Sequence, residues 1–184
     1  MLVECGFSRV QLGDGSEYTF TPSFKNIACL GSPAEIVRMF ADLHGPRAVE
    51  VARYILTVLC DQDDPTPAVG FLDLASGEWV RGAIPADDQV ILAAHLMKHG
   101  IAGKAKPDQK GSGKFSEEFH ASEFVSAARV HLGLSSADAE ALSMTEFQTM
   151  LEMKFPDSKK AERELPSREE YQKVMAALKG RKHG

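Results

Sequence analysis

The sequence predicts an α+β fold, predominantly α-helical, with an N-terminal β-hairpin-plus-helices domain, a flexible linker and a small C-terminal all-helical module. Three observations point there. Hydroxyl-x-x-carboxylate helix starts recur along the chain, two short runs rich in aromatic and β-branched residues each flank a glycine-containing turn, and a glycine- and lysine-rich stretch separates two parts of different charge. The boundaries expected are 1–100 for the first domain, 101–117 for the linker and 118–184 for the module.

Val3 to Leu12, the turn Gly13-Asp14-Gly15 and Glu17-Tyr18-Thr19-Phe20-Thr21 predict the first hairpin, because aromatic and β-branched residues suit a paired strand. Ser32-Pro33-Ala34-Glu35 then supplies an N-cap hydroxyl, a proline at the first helical position and a carboxylate that can reach back to the cap, so a helix starts here. Ile36, Phe40 and Leu43 recur at helical spacing, and Gly45-Pro46 ends this helix and opens the next. From Ala48 to Cys60 only Glu50, Arg53 and Thr57 are polar, one narrow stripe on an otherwise apolar cylinder, which predicts a central buried helix. Asp61 to Pro67 reads as a loop. Val69 to Leu74 and Glu78 to Arg81 flank Ser76-Gly77 and predict a second short hairpin. Pro85, Asp87 and Asp88, then Val90 to Met97, then Lys98, His99 and Gly100 place acid first, base last and a glycine stop, as the helix dipole favours.

Ile101 to Lys114 holds three glycines, a proline and four lysines and is too polar to bury much, hence the linker. Beyond it, Glu117 to Leu132 predicts a helix stopped by Gly133. Ser135 to Asp138 and Ser143 to Glu146 are two capping boxes eight residues apart, so one short helix ends as the next begins, the latter running on until Pro156. A last amphipathic helix after Pro166, with Tyr171, Val174, Met175 and Leu178, and a basic tail complete the module.

Composition excludes several classes. The 184 residues, 43% hydrophobic and 26% charged, are ordinary globular usage, and a net charge of -5 disfavours a wide nucleic-acid-binding face. The charge divides unevenly, with 7 basic and 13 acidic residues in 1–100 against 14 and 13 in 101–184. Cys5, Cys29 and Cys60 fit neither a disulfide framework nor a paired zinc knuckle and suit a reducing cytosol. Met1 to Cys5 lacks the basic start of a secretory signal, and no apolar run reaches bilayer length, so neither membrane nor secretion is expected.

Chemistry is sparse. His95 and His99 stand four apart, a spacing that lets two imidazoles share a metal, but bases at a helix C-terminus also complement the dipole, and no metal site is expected. Cys60 has acidic neighbours, the opposite of what a nucleophilic thiolate needs. Asp61, Asp63 and Asp64 lack the glycine and distal glutamate of a calcium loop, and Gly111-Ser112-Gly113-Lys114 lacks the first glycine and strand of a phosphate loop. The sequence therefore supports neither a catalytic site nor a cofactor. What stands out is apolar: Phe147, Met150, Leu151, Met153 and Phe155 on one short helix and Tyr171, Val174, Met175 and Leu178 on the next are more than a small module encloses well, so they either pack on one another or meet a partner chain.

Glu123-Phe124-Val125, Ala127-Ala128-Arg129, Leu132-Gly133-Leu134-Ser135, Leu142-Ser143-Met144-Thr145-Glu146-Phe147 and Lys154-Phe155-Pro156 form a pattern that resembles the C-terminal helical module of tail assembly chaperone-like proteins of long-tailed, siphovirus-type bacteriophages. Pro22 to Asn26, Gly31 to Val37 and His95 to Ile101 are similar to the same kind of protein, extending the likeness over most of the chain. The resemblance implies a non-enzymatic chaperone in the host cytoplasm. Its expected partners are the tape measure protein and the tail tube subunit, with self-association left open, and Met144, Phe147, Met150, Leu151 and Phe155, which cluster in the resembling segment, are the expected partner contacts. The rival readings are a structural tail completion or connector protein that stays in the virion, a small metal-dependent enzyme using His95 and His99, and a host-directed regulator.

Overall fold

The computed structural model describes residues 3–104 and 117–156. The chain divides into two compact units, Met1–Thr149 and Met150–Gly184. The fold is mixed α+β and mostly helical, with two small hairpins, as the sequence predicts.

In the first unit, β1 (Ser8–Gln11) pairs antiparallel with β2 (Glu17–Phe20), Ser8 opposite Phe20 and Gln11 opposite Glu17. The strand starts later than expected, because Val3–Cys5 forms a 3-10 turn. Asp14 fixes the hairpin turn by accepting from the N–H and O–H of Ser16 at 2.9 and 2.6 Å, bonds that also hold its carboxyl below the ordinary range. Tyr18 and Phe20 point inward, and β2 is tied to the segment after the central helix: Thr21 N–H to Leu59 O, Asp61 N–H to Thr19 O and Thr21 Oγ1 to Asp61.

A helix absent from the sequence reading follows. In α1 (Phe24–Ala28) the Ser23 hydroxyl accepts from the Asn26 N–H, and Phe24 and Ile27 are fully buried. The Ser32 box forms as expected and starts α2 (Pro33–Asp42), with Glu35 accepting from both the N–H and the hydroxyl of Ser32. The central α3 (Ala48–Leu59) buries Val51, Ala52, Ile55, Leu56 and Leu59. Its polar stripe turns Glu50 and Thr57 to solvent. After Cys60 the loop is shorter than expected, since α4 (Thr66–Val69) forms a single turn before the second hairpin. In that hairpin β3 (Gly70–Leu72) pairs with β4 (Trp79–Arg81), Phe71 opposite Val80 and Leu72 opposite Trp79.

The next helix, α5 (Ala86–Met97), packs along α3 and buries Ala93, Leu96 and Met97. It does not stop at Gly100: a π-turn over Lys98–Ala102 carries it on, and Gly103, with φ of 64°, ends it. Gly100 is instead buried against Ile27 and Pro22. After residue 117 come α6 (Ala121–Ala127), continued by a π-turn to Leu132 and stopped at Gly133, then α7 (Ser136–Ala141) and α8 (Met144–Lys154). The Ser143 box forms in full, Ser143 and Glu146 each accepting from the other's N–H, whereas at Ser135 only the cap half forms: its hydroxyl accepts from the Asp138 N–H, and the Asp138 carboxylate accepts from that hydroxyl and not from the Ser135 N–H.

The boundary expected at 118 is not where the chain divides. Phe24, Phe119, Phe124 and Phe147 form one aromatic cluster, with ring centroids 5.3–5.9 Å apart in the stacked and edge-on geometries that aromatic pairs prefer. Phe24 N–H donates to Leu142 O at 2.8 Å, and Phe119 N–H to Pro33 O at 3.0 Å. Three short helices cannot make a core of their own, and α6, α7 and the start of α8 complete the core begun by α1. Of the expected linker, residues 105–116 lie outside the described residues, as do the predicted last helix and the basic tail.

Candidate protein-binding surface

The second hairpin has apolar residues side by side on both strands, Phe71-Leu72 and Trp79-Val80. Successive strand residues face opposite ways, so such a ribbon carries apolar groups on both faces. Only its base is packed. Val69 and Ala68 are fully buried beneath it, Ala83 and Ile84 donate their N–H groups to Pro67 O and Ala68 O, and Gln89 of α5, itself 2% exposed, clamps the base by donating to Val69 O and Ile84 O at 2.9 and 2.8 Å. Further out, Phe71 is 45% exposed, Leu72 50% and Leu74 89%, with Val80 of β4 and Tyr54 of α3 also exposed. The tip is rigid: Asp73 accepts from Ala75 N–H and Ser76 O–H, which hold its carboxyl below the ordinary range, and the Asp73 and Glu78 backbones bond across.

The polar stripe of α3 lies under this hairpin. The Arg53 guanidinium sits over the Trp79 ring, 4.3 Å from its centroid, a cation–π contact of about 1–2 kcal/mol when partly desolvated. Beside it a groove of about 330 Å³ is lined by Tyr54, Thr57, Phe71, Leu72 and Trp79. Single exposed apolar side chains are normal, but several on one ribbon next to a groove mark a surface that another chain can cover. The sequence signal was there, in the paired apolar dipeptides that an isolated two-stranded ribbon cannot bury on both faces.

The five residues expected as partner contacts do not share one environment. Met144 and Phe147 are buried in the first unit, Phe147 against Phe24 and Phe124, so as partner contacts they are corrected: the core takes both. In the second unit, Met150 and Leu151 are half-buried and Phe155 is exposed beside Met153, which is 78% exposed.

The remaining candidates have other roles. His95 and His99 rings lie 4.6 Å apart; His99 Nδ1 is 2.8 Å from Thr145 Oγ1, and burial pushes both imidazoles below their ordinary value, His95 adding to the effect on His99. Among the described residues no three His, Cys, Asp or Glu side chains converge as metal ligands. Burial raises the Cys60 thiol, and Asp61 and Asp64 add to the rise, the reverse of nucleophile activation. Asp61 and Asp64 are engaged by Thr21 and Thr66. Gly111 to Lys114 lie outside the described residues. Among the described residues no helix is long and apolar enough to cross a membrane.

Residues 45–173, most of the chain, match a family of unknown function, DUF6246. The match takes in α3, both strands of the second hairpin, α5 and α8. No curated protein and no solved structure matches the chain.

Proposed function

We propose that this chain, which belongs to the DUF6246 family, is a tail assembly chaperone of long-tailed bacteriophages that works in the host cytoplasm by covering apolar helical segments of the tape measure protein. The observation that carries this reading is the exposed apolar hairpin on a rigid base: Phe71, Leu72, Leu74 and Val80 beside the groove against α3. The residue pattern from Glu123 to Pro156 that resembles such chaperones supports it from the sequence side.

The mechanism is reversible burial. A long helix with an apolar stripe aggregates in water, and laying that stripe on the hairpin removes it from solvent at roughly 25 cal/mol per Å². A surface of a few exposed side chains gives modest affinity, which lets tail tube subunits displace the chaperone as the tube grows. In the second unit, Met150, Leu151 and Phe155 are a further contact in this reading. Self-association through either surface competes with the same partner.

The test substitutes the hairpin without touching the core. Phe71→Asp with Val80→Asp alters exposed side chains, so folding is expected to hold within a few degrees in Tm, while co-purification of the tape measure protein from co-expressing cells is lost. Unchanged co-purification by this well-folded variant would overturn the assignment of the hairpin.

A further inference from the structure

Behind the hairpin, a partly enclosed cleft of about 380 Å³ lies between α3, β4 and α5. Arg53 and Arg81 line it together with Trp79, Ile84, Pro85 and Gln89, and no acidic side chain is among its lining. Among the described residues neither guanidinium has an ion pair. Two atoms of this lining are buried and, among the described residues, unpaired: Arg53 Nε, a donor, and Gln89 Oε1, an acceptor on a side chain whose amide nitrogen is fully used on Val69 O and Ile84 O. A buried polar atom without a partner costs about 1–3 kcal/mol, so a fold that carries two of opposite kind in one cleft gains when something supplies both. Two like charges held near one another add to the demand, since each raises the cost of the other. Burial, and then Arg81, pull the Arg53 guanidinium below its ordinary value.

We propose that this cleft binds a carboxylate side chain, Glu or Asp, of a partner polypeptide, with the carboxylate accepting from Arg53 and Arg81 and a backbone N–H of the same segment donating to Gln89 Oε1. A guanidinium pair matches a planar carboxylate through charge-assisted bonds, which are about twice as strong as neutral ones. A backbone N–H beside the carboxylate meets the donor requirement at Gln89 directly, which a simple carboxylate or a fully ionised phosphate, with only acceptors to offer, does not. A polypeptide is favoured over a free small acid because Arg53 and Trp79 line both this cleft and the apolar groove against Phe71 and Leu72. An acidic residue in the cleft therefore leaves its apolar neighbours on the hairpin. This deepens the partner-binding reading of that hairpin and rests on it: the partner segment is apolar with an embedded acid.

Trp79 is the chain's only tryptophan and sits under Arg53, so its emission reports on the cleft directly. The full chain is titrated with the blocked tripeptide Ac-Phe-Glu-Leu-NH2, its glutamine counterpart, sodium acetate and inorganic phosphate. The expected result is a saturable change in Trp79 emission with the glutamate peptide, at least roughly tenfold weaker binding of the glutamine peptide, and a comparable loss in Arg81→Gln, an exposed position where the fold is kept. Equal binding of the two peptides, no change with either at millimolar concentration, or tighter binding of phosphate would overturn the proposal. Full competition by acetate at the same concentration would overturn the peptide as its source. The tape measure plays no part in this titration, so its failure leaves the hairpin reading standing, and unchanged co-purification by the hairpin variant leaves the carboxylate site standing.

Discussion

Replacing Gly100 by alanine separates the structure from the local sequence pattern more sharply than any other single change. A glycine after Lys98 and His99 looks like a helix stop, and at an exposed stop a methyl group costs little. In the fold the residue is buried inside the π-turn, where an added Cβ would lie 2.6 Å from Ile27 Cδ1, 2.9 Å from Ile27 Cγ1 and 3.3 Å from Pro22 Cβ. All three distances are shorter than ordinary carbon contact, and Ile27 is fully buried, so accommodating the methyl group displaces core packing. Overpacking of this kind costs about 1–3 kcal/mol, against up to about 1 kcal/mol gained from the better helix propensity of alanine. The net loss is about 1–2 kcal/mol, which lowers Tm by roughly 2–8 °C in a chain of this size. The assay is urea and thermal unfolding followed by circular dichroism, with Gly13→Ala as the control, since Gly13 has open space around it and should change stability by less than about 0.5 kcal/mol. A Gly100→Ala protein as stable as the wild type, or more so, would refute the packing of the π-turn after α5 against α1.

Further outcomes are expected elsewhere. Phe147→Ala should destabilise by about 3–5 kcal/mol in urea unfolding, because it removes a buried ring packed edge-on against Phe24 and Phe124, whereas Leu151→Ala, half-buried, should cost clearly less. Ser143→Ala, which strips the cap of α8 and leaves the Glu146 N–H without its acceptor, should cost about 1–2 kcal/mol. Burial lowers the pKa of His95 and His99 in the folded state, so below the ordinary value near 6.5 the unfolded chain holds more protons than the native one. Stability should therefore fall on acidification from about pH 6.5 toward 5, above the range where carboxylates titrate, and the slope should flatten in His95→Gln and His99→Gln measured by urea midpoints against pH.

What the sequence made legible was local. Both hairpins, the helix caps at Ser32, Ser135 and Ser143, and the apolar faces of α3 and α5 rest on spacings of two to four residues, and each formed where the pattern placed it. What it hid was tertiary. The five residues of α1 are too few for any periodicity, and their Ser23 cap sits behind a proline, yet this helix is where the aromatic cluster joins the two stretches of chain on either side of residues 105–116. That junction decides which of the expected partner residues have any surface left, and it removes Met144 and Phe147. The hairpin surface was visible as paired apolar dipeptides, but nothing in the spacing alone said that α3 would cover only its base. The unpaired atoms of Arg53 and Gln89 lie 36 positions apart and meet only through the packing of α3 on α5.

The most direct test of the proposed function is co-expression of the full chain with the tape measure protein of the same phage, scored by solubility of the tape measure and by co-purification. A soluble complex whose yield collapses in the Phe71→Asp, Val80→Asp protein is expected. A tape measure protein that stays insoluble, or stays soluble without this chain bound to it, would contradict the chaperone reading.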